Sequence, residues 1–220
     1  MAETMRLVAG EAQSVLHGHV GWMAWNMVLA AVPLVLAMIL FRPGANRTWR
    51  WWTGVVAFVL FLPNAPYVLT DVIHLFDDIR VVQSDLKILG IVLPLYLAFF
   101  TVGFLCYVLA LRCLRSYLIT DAPSLPRWPL MFGLHALCAV GVYLGRVMRF
   151  NSWDAVTSPA QVASTADALN DAVPIVLIAC TFVVLVVGSI ITNLMIDATD
   201  RRVRPWVRRG RLAVRRLRTA

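Results

Sequence analysis

Five stretches of this chain carry no charged side chain and are each long enough to cross a bilayer: Val20–Phe41, Trp51–Thr70, Ile88–Leu111, Trp128–Gly145 and Ala172–Ile196. A spanning helix needs about 20 apolar residues, with about 17 as the lower limit. Only helices and closed barrels satisfy their backbone inside lipid, and strands of a barrel would be roughly half this length. The chain is therefore expected to be all-α: a polytopic bundle of five transmembrane helices. The composition agrees. Hydrophobic residues make up 60% of the chain and charged residues only 15%, which excludes a soluble enzyme, a disordered chain and an ordinary DNA-binding domain. No internal repeat is evident, so an inverted-repeat transporter core is not expected.

The net charge of +8 is unevenly distributed. The last twenty residues hold nine arginines and no acid, which leaves 11 basic against 12 acidic residues in the rest. The organisation reads as an N-terminal outer segment (1–18), a five-helix transmembrane domain (19–200) and an arginine-rich tail (201–220). With five spans, one set of loops carries 15 Lys and Arg, including Arg42, Arg47, Arg50, Arg112, Arg115 and Arg127; the other carries 5. The positive-inside rule then places the protein in a cell membrane, such as a bacterial inner membrane, with the N-terminus outside and the C-terminus cytoplasmic. A cleaved signal peptide is not expected, because the first apolar run is too long for one. The eight tryptophans all lie near span ends, as interfacial anchors do. The tail is expected to lie on anionic lipid rather than to bind nucleic acid. The four cysteines have no C-x-x-C pairing and read as small core residues.

The second span ends in Leu62-Pro63-Asn64-Ala65-Pro66-Tyr67-Val68-Leu69-Thr70-Asp71-Val72-Ile73-His74-Leu75-Phe76-Asp77-Asp78. Two prolines three residues apart are expected to break this helix, each removing an N–H and crowding the carbonyl four residues back. On the helix that restarts, Tyr67, Asp71, His74 and Asp78 are spaced 4, 3 and 4, which predicts one polar stripe, extended a turn by Asn64. The fourth span ends in Gly145-Arg146-Val147-Met148-Arg149-Phe150-Asn151-Ser152-Trp153-Asp154. Arg146 and Arg149 are three apart and predicted to share a face that continues inward through His135, Cys138 and Val142. Acids on one helix and arginines on another, at the same outer boundary, are natural partners. Between the fourth and fifth spans, Ser158-Pro159-Ala160-Gln161 predicts a capping box that starts a short interfacial helix.

These two segments resemble the signature segments of the bacterial and archaeal membrane-protein family labelled domain of unknown function 1361. The resemblance implies the multi-span architecture and singles out Asn64, Tyr67, Asp71, His74, Arg146, Arg149, Asn151, Trp153 and Asp154. It implies no activity.

Two readings of the charged cluster stand side by side. In one, Asp71 and an arginine staple the second helix to the fourth, with Asn64 and Asn151 capping broken ends. In the other, Asn64, Tyr67, Asp71, His74, Asp78, Arg146, Arg149, Asn151 and Asp154 line an outward-facing cup that binds a small anionic or headgroup-like ligand, or a partner. A membrane enzyme acting on a lipid-linked or envelope substrate, with His74 as general base, is an alternative. No Ser-His-Asp order, P-loop, G-x-G-x-x-G or H-E-x-x-H motif supports it. A small permease working as an oligomer is another. Asp71, His74 and Asp78 also offer donors for a divalent metal, though at no established spacing.

Overall fold

The way the chain starts and restarts its helices governs the arrangement seen in a computed structural model, which describes residues 2–82, 84–149, 157, 160 and 171–217, with side chains from residue 21 to residue 202 within that set. The first helix, α1, runs Ala2–Leu40. The second span is segmented into α2 (Trp49–Phe61), α3 (Asn64–Tyr67), a 3-10 turn (Val68–Asp71) and α4 (Val72–Val81). A short helix, α5 (Asp85–Lys87), leads through a π turn (Ile88–Val92) into α6 (Leu93–Thr120). The fourth span is α7 (Arg127–Arg146), and α8 (Ala172–Leu217) closes the bundle. Among the described residues there is no strand.

Five stretches are long and apolar enough to cross a membrane: Gly21–Leu40, Trp49–Val81, Asp85–Thr120, Arg127–Arg146 and Ala172–Arg202. The molecule is a multi-pass, membrane-embedded protein. Its surface carries large apolar side chains such as Val28, Ile39, Val56, Leu97, Val183 and Leu194, while Asp71, Asp78, His135 and Ser189 are buried. Apolar residues facing out and ionisable residues facing the bundle interior is the arrangement lipid demands.

Local chemistry explains the element boundaries. Thr48 caps α2 by accepting the Trp51 N–H on its hydroxyl at 3.4 Å. Helix α2 ends at Phe61, and Leu62-Pro63 forms a turn before α3. Pro63 has no N–H to donate, and the Ala65 N–H turns to the nearer Leu62 carbonyl at 3.3 Å. The Phe61 carbonyl is satisfied instead by the Asn64 side-chain amide at 3.1 Å. Asn64 therefore has a structural task at the break. The π turn of Ile88–Val92 ends just before Pro94, whose missing N–H leaves the Gly90 carbonyl outside the ordinary ladder.

Two glycines let neighbouring helices close on the broken segment. A Cβ on Gly141 of α7 would meet the Pro63 ring at 2.7 Å, and one on Gly103 of α6 would collide with the buried Val68 side chain. With α1 lying along α6, the break is thus enclosed on several sides. Helix α8 lies mainly along α7 and is the most peripheral span, with 11% of its most apolar window buried against 33% for α7.

The loop between α1 and α2 is tied to the end of α6. Arg47 donates to the Tyr117 hydroxyl and to the Asp121 carbonyl, both at 2.8 Å. Asp121 Oδ1 accepts the N–H of Gly44 at 3.0 Å, and Asp121 Oδ2 accepts the Thr120 hydroxyl. Gly44 has φ +71°, a left-handed conformation suited to glycine. The Trp51 indole N–H reaches the Leu40 carbonyl at 2.9 Å. The tie brings the α1–α2 loop, with Arg42, Arg47 and Arg50, to the α6–α7 turn, which Arg115 and Arg127 flank, and makes this the basic end of the bundle. Of the expected interfacial helix beginning at Ser158-Pro159, only residue 160 is among the described residues.

Candidate functional site

At the opposite end, Asp71 and Arg146 meet. Asp71 closes the 3-10 turn that leads into α4 and is wholly buried. Arg146 is the last residue of α7, and its side chain is 25% exposed. Arg146 Nη1 donates to Asp71 Oδ1 at 3.2 Å. The contact is a single point rather than the two-pronged fork that guanidinium and carboxylate commonly form. Asp71 Oδ2 and Arg146 Nη2 are both buried and have no hydrogen-bond partner among the described residues. The Tyr67 ring lies under the guanidinium, with Cζ 5.9 Å from the ring centroid, within cation–π range.

The predicted polar stripe is rotated by the local winding. A 3-10 turn has three residues per turn, so Val68 and Asp71 eclipse and point inward together. Asp78, two α-helical turns beyond Asp71, is buried as well. Tyr67 and His74 flank this inward line and are half-buried. The stripe's two acids and its histidine then engage three different helices. Asp71 takes Arg146 of α7; Asp78 accepts the Tyr96 hydroxyl of α6 at 2.8 Å; the His74 ring meets the Trp22 ring of α1 edge-on, with centroids 4.8 Å apart. The α3–α4 segment is stitched to three neighbours.

Asp71, His74 and Asp78, the weak metal candidates, are thus turned toward three different helices. Among the described residues, no group of three or more His, Cys, Asp or Glu side chains stands close enough to hold an ion. Arg149 also differs from expectation. Helix α7 ends at Arg146, and Arg149 lies beyond it, exposed and with φ +59°, so it does not continue the Arg146 face. His135, Cys138 and Val142 do share a buried face of α7. Asn151, Trp153 and Asp154 lie outside the described residues.

Spacing within one helix did not reveal Tyr96 or Trp22 as partners of the stripe. A tyrosine inside the apolar run Ile88–Leu111 was the available signal for the first, because a buried phenol seeks an acceptor. A second polar chain also went unread. The Tyr107 hydroxyl lies 2.6 Å from His135 Nδ1, and Ser189 Oγ lies 3.4 Å from His135 Nε2. Ser189 gives its one proton to the Val186 carbonyl at 2.9 Å. That assigns Nε2–H as donor to Ser189 and Nδ1 as acceptor from Tyr107. His135 therefore belongs to a network joining α6, α7 and α8 rather than to the Arg146 cluster.

A family model described as "Protein of unknown function (DUF1361)" matches residues 25–187, most of the chain, and the protein belongs to that family. No curated protein and no solved structure matches it.

Proposed function

We propose that this DUF1361 family member binds a small anionic or headgroup-like ligand, without turning it over, at the Asp71–Arg146 pair. The observation that carries the reading is the incomplete pairing: Arg146 Nη2 and Asp71 Oδ2 are both buried and, among the described residues, have no hydrogen-bond partner. Leaving such groups unsatisfied costs about 1–3 kcal/mol each, and more when they are charged. A ligand that presents an anionic oxygen to Arg146 Nη2 and an O–H or N–H to Asp71 Oδ2 relieves both. A protonated phosphate monoester has both features, as does a phosphoethanolamine headgroup. Tyr67 supplies a flat wall beside the guanidinium.

The pair lies at the end opposite the basic loops. By the positive-inside rule that end faces outward, with the N-terminus outside and the tail cytoplasmic. Helix α8 is 46 residues long, or about 69 Å at 1.5 Å per residue, far more than a hydrocarbon core of about 30 Å. Its arginine-rich end therefore reaches past the membrane boundary, where it meets anionic lipid.

Arg146→Lys is the informative variant, because it keeps the charge that compensates Asp71 and removes the guanidinium fork. Titration of the purified protein with glycerol 3-phosphate should show saturable binding, weakened about tenfold or more in Arg146→Lys and in Asp71→Asn, with the unfolding temperature of Arg146→Lys near that of the parent. Absence of binding to the parent, or equal binding by both variants, overturns the reading and leaves the pair as a staple. Release of inorganic phosphate by the parent but not by His74→Ala would instead establish a membrane enzyme.

A further inference from the structure

A second site lies at the basic end, apart from the Asp71–Arg146 pair. A groove of about 390 Å³ runs between α6, α7 and α8. Its volume falls within the range of about 300–1,000 Å³ typical of ligand sites. Arg112, Arg115 and Arg127 all line it, and among the described residues Asp197 is the only acidic one in the lining, which is net cationic. The three arginines are held differently. Arg112 donates to Asn193 Oδ1 and pairs with Asp197, both at 2.9 Å, which fixes it as part of the wall. Arg115 rests over the Trp128 ring, with Cζ 5.8 Å from its centroid. Among the described residues, Arg127 makes no salt bridge.

Away from these charges the wall is apolar: Val108, Leu111, Met131, Phe132, Ile190 and Leu194. Phe132, Ile190, Leu194 and Trp128 are also exposed on the outside of the bundle, where hydrocarbon would lie. The groove is therefore open sideways to the bilayer. A polar line crosses its back: His135 to Ser189, and the Asn193 amide to the Ser189 carbonyl at 2.7 Å.

We infer that this groove holds an anionic phospholipid of the surrounding leaflet, its phosphate between Arg115 and Arg127 and an acyl chain along the α7–α8 wall. Basic pockets between transmembrane helices on the cytoplasmic side take anionic headgroups in this way. Charge complementarity selects the sign of the headgroup. The sideways apolar opening selects a lipid over a soluble anion, because a free phosphate would gain nothing from Phe132, Ile190 or Leu194. Trp128 sits at the boundary level where indoles anchor.

Lipid retention by the full-length protein tests the assignment. The parent and an Arg115→Gln/Arg127→Gln variant are purified in nonionic detergent, and phosphatidylglycerol, phosphatidylcholine or inorganic phosphate is added. Bound molecules are counted by native mass spectrometry. The parent is expected to keep one phosphatidylglycerol in preference to phosphatidylcholine, and inorganic phosphate should not displace it. The variant should lose that preference by about thirty-fold, equivalent to about 1 kcal/mol for each arginine. The nine-arginine tail is present in both proteins, so its own attraction to anionic lipid cancels. Equal retention of phosphatidylcholine by the parent overturns the proposal, as does displacement by inorganic phosphate. If the double variant unfolds, Arg115→Lys/Arg127→Lys preserves the charge and should restore the preference; a preference unchanged in a folded glutamine variant places the lipid elsewhere.

Discussion

The two ends of the bundle each join distant helices through an arginine and an aspartate, and they do so in opposite ways. At the basic end, Arg47 and Asp121 never rely on each other's charged atoms alone. Arg47 spends its donors on the Tyr117 hydroxyl and the Asp121 carbonyl, while the Asp121 carboxylate takes Gly44 N–H on one oxygen and the Thr120 hydroxyl on the other. Both carboxylate oxygens are partnered. At the other end, Asp71 is wholly buried and Arg146 mostly so, yet one bond of 3.2 Å joins them and, among the described residues, an atom on each side is left over. A staple under selection for stability alone would be built like the first. Burial makes incomplete pairing more costly, and that difference is what the proposed ligand rests on.

The largest expected effect comes from removing one half of the buried pair. Arg146→Ala leaves the Asp71 carboxylate buried and uncompensated, and should destabilise the protein by about 3–5 kcal/mol. Asp71→Asn combined with Arg146→Gln removes both charges and should recover most of that loss. Chemical unfolding in detergent micelles measures both. A double variant as unstable as Arg146→Ala, rescued only by exchanging the two charges, would make this end a staple after all and erase the contrast with Arg47–Asp121.

The next effect tests what holds the pair in place. Gly141→Ala drives a methyl group into the Pro63 ring, which has no rotamer to yield, and should cost about 1–3 kcal/mol. Because Arg146 lies five residues further along α7, the same variant should also weaken ligand binding; a thermal shift and a titration on one preparation check both. An alanine at Gly133, which has open space around it, is the control. Unchanged stability in Gly141→Ala would mean that α7 does not rely on this contact.

The close approach at Pro63 also marks how far the sequence could be read. Hydropathy places all five spans, and Pro63 stands at the turn between α2 and α3. The polar stripe was only partly legible. Its spacing presumes 3.6 residues per turn, whereas Val68–Asp71 winds at three, which swings Asp71 inward with Val68 and leaves Tyr67 and His74 at the flanks. Arg149 was misplaced because no helix stop is written between it and Arg146. Tyr96, Trp22 and the groove around Arg115 and Arg127 depend on which helices are neighbours, and periodicity within one helix carries no information about that.

The smallest effect belongs to the fully partnered end and is read as a function of pH. Asp121 lies outside the spans, and the Thr120 hydroxyl, followed by the Gly44 N–H and the Arg47 charge, holds its carboxyl below the ordinary carboxylate value. A lowered value in the folded state means that the unfolded chain takes up the proton first. The stabilisation is therefore complete above the unfolded value, near pH 4, and is lost as the pH falls through the lower folded one. The difference in unfolding temperature between the parent and Asp121→Asn should be constant from pH 7 to about pH 5 and shrink below about pH 4. The carboxyl is exposed to water and screened, so the difference should be small throughout. A difference that instead grows on acidification would show that Asp121 does not act through its charged form, and that the Arg47 latch stands on the Tyr117 hydroxyl and the Asp121 backbone carbonyl alone.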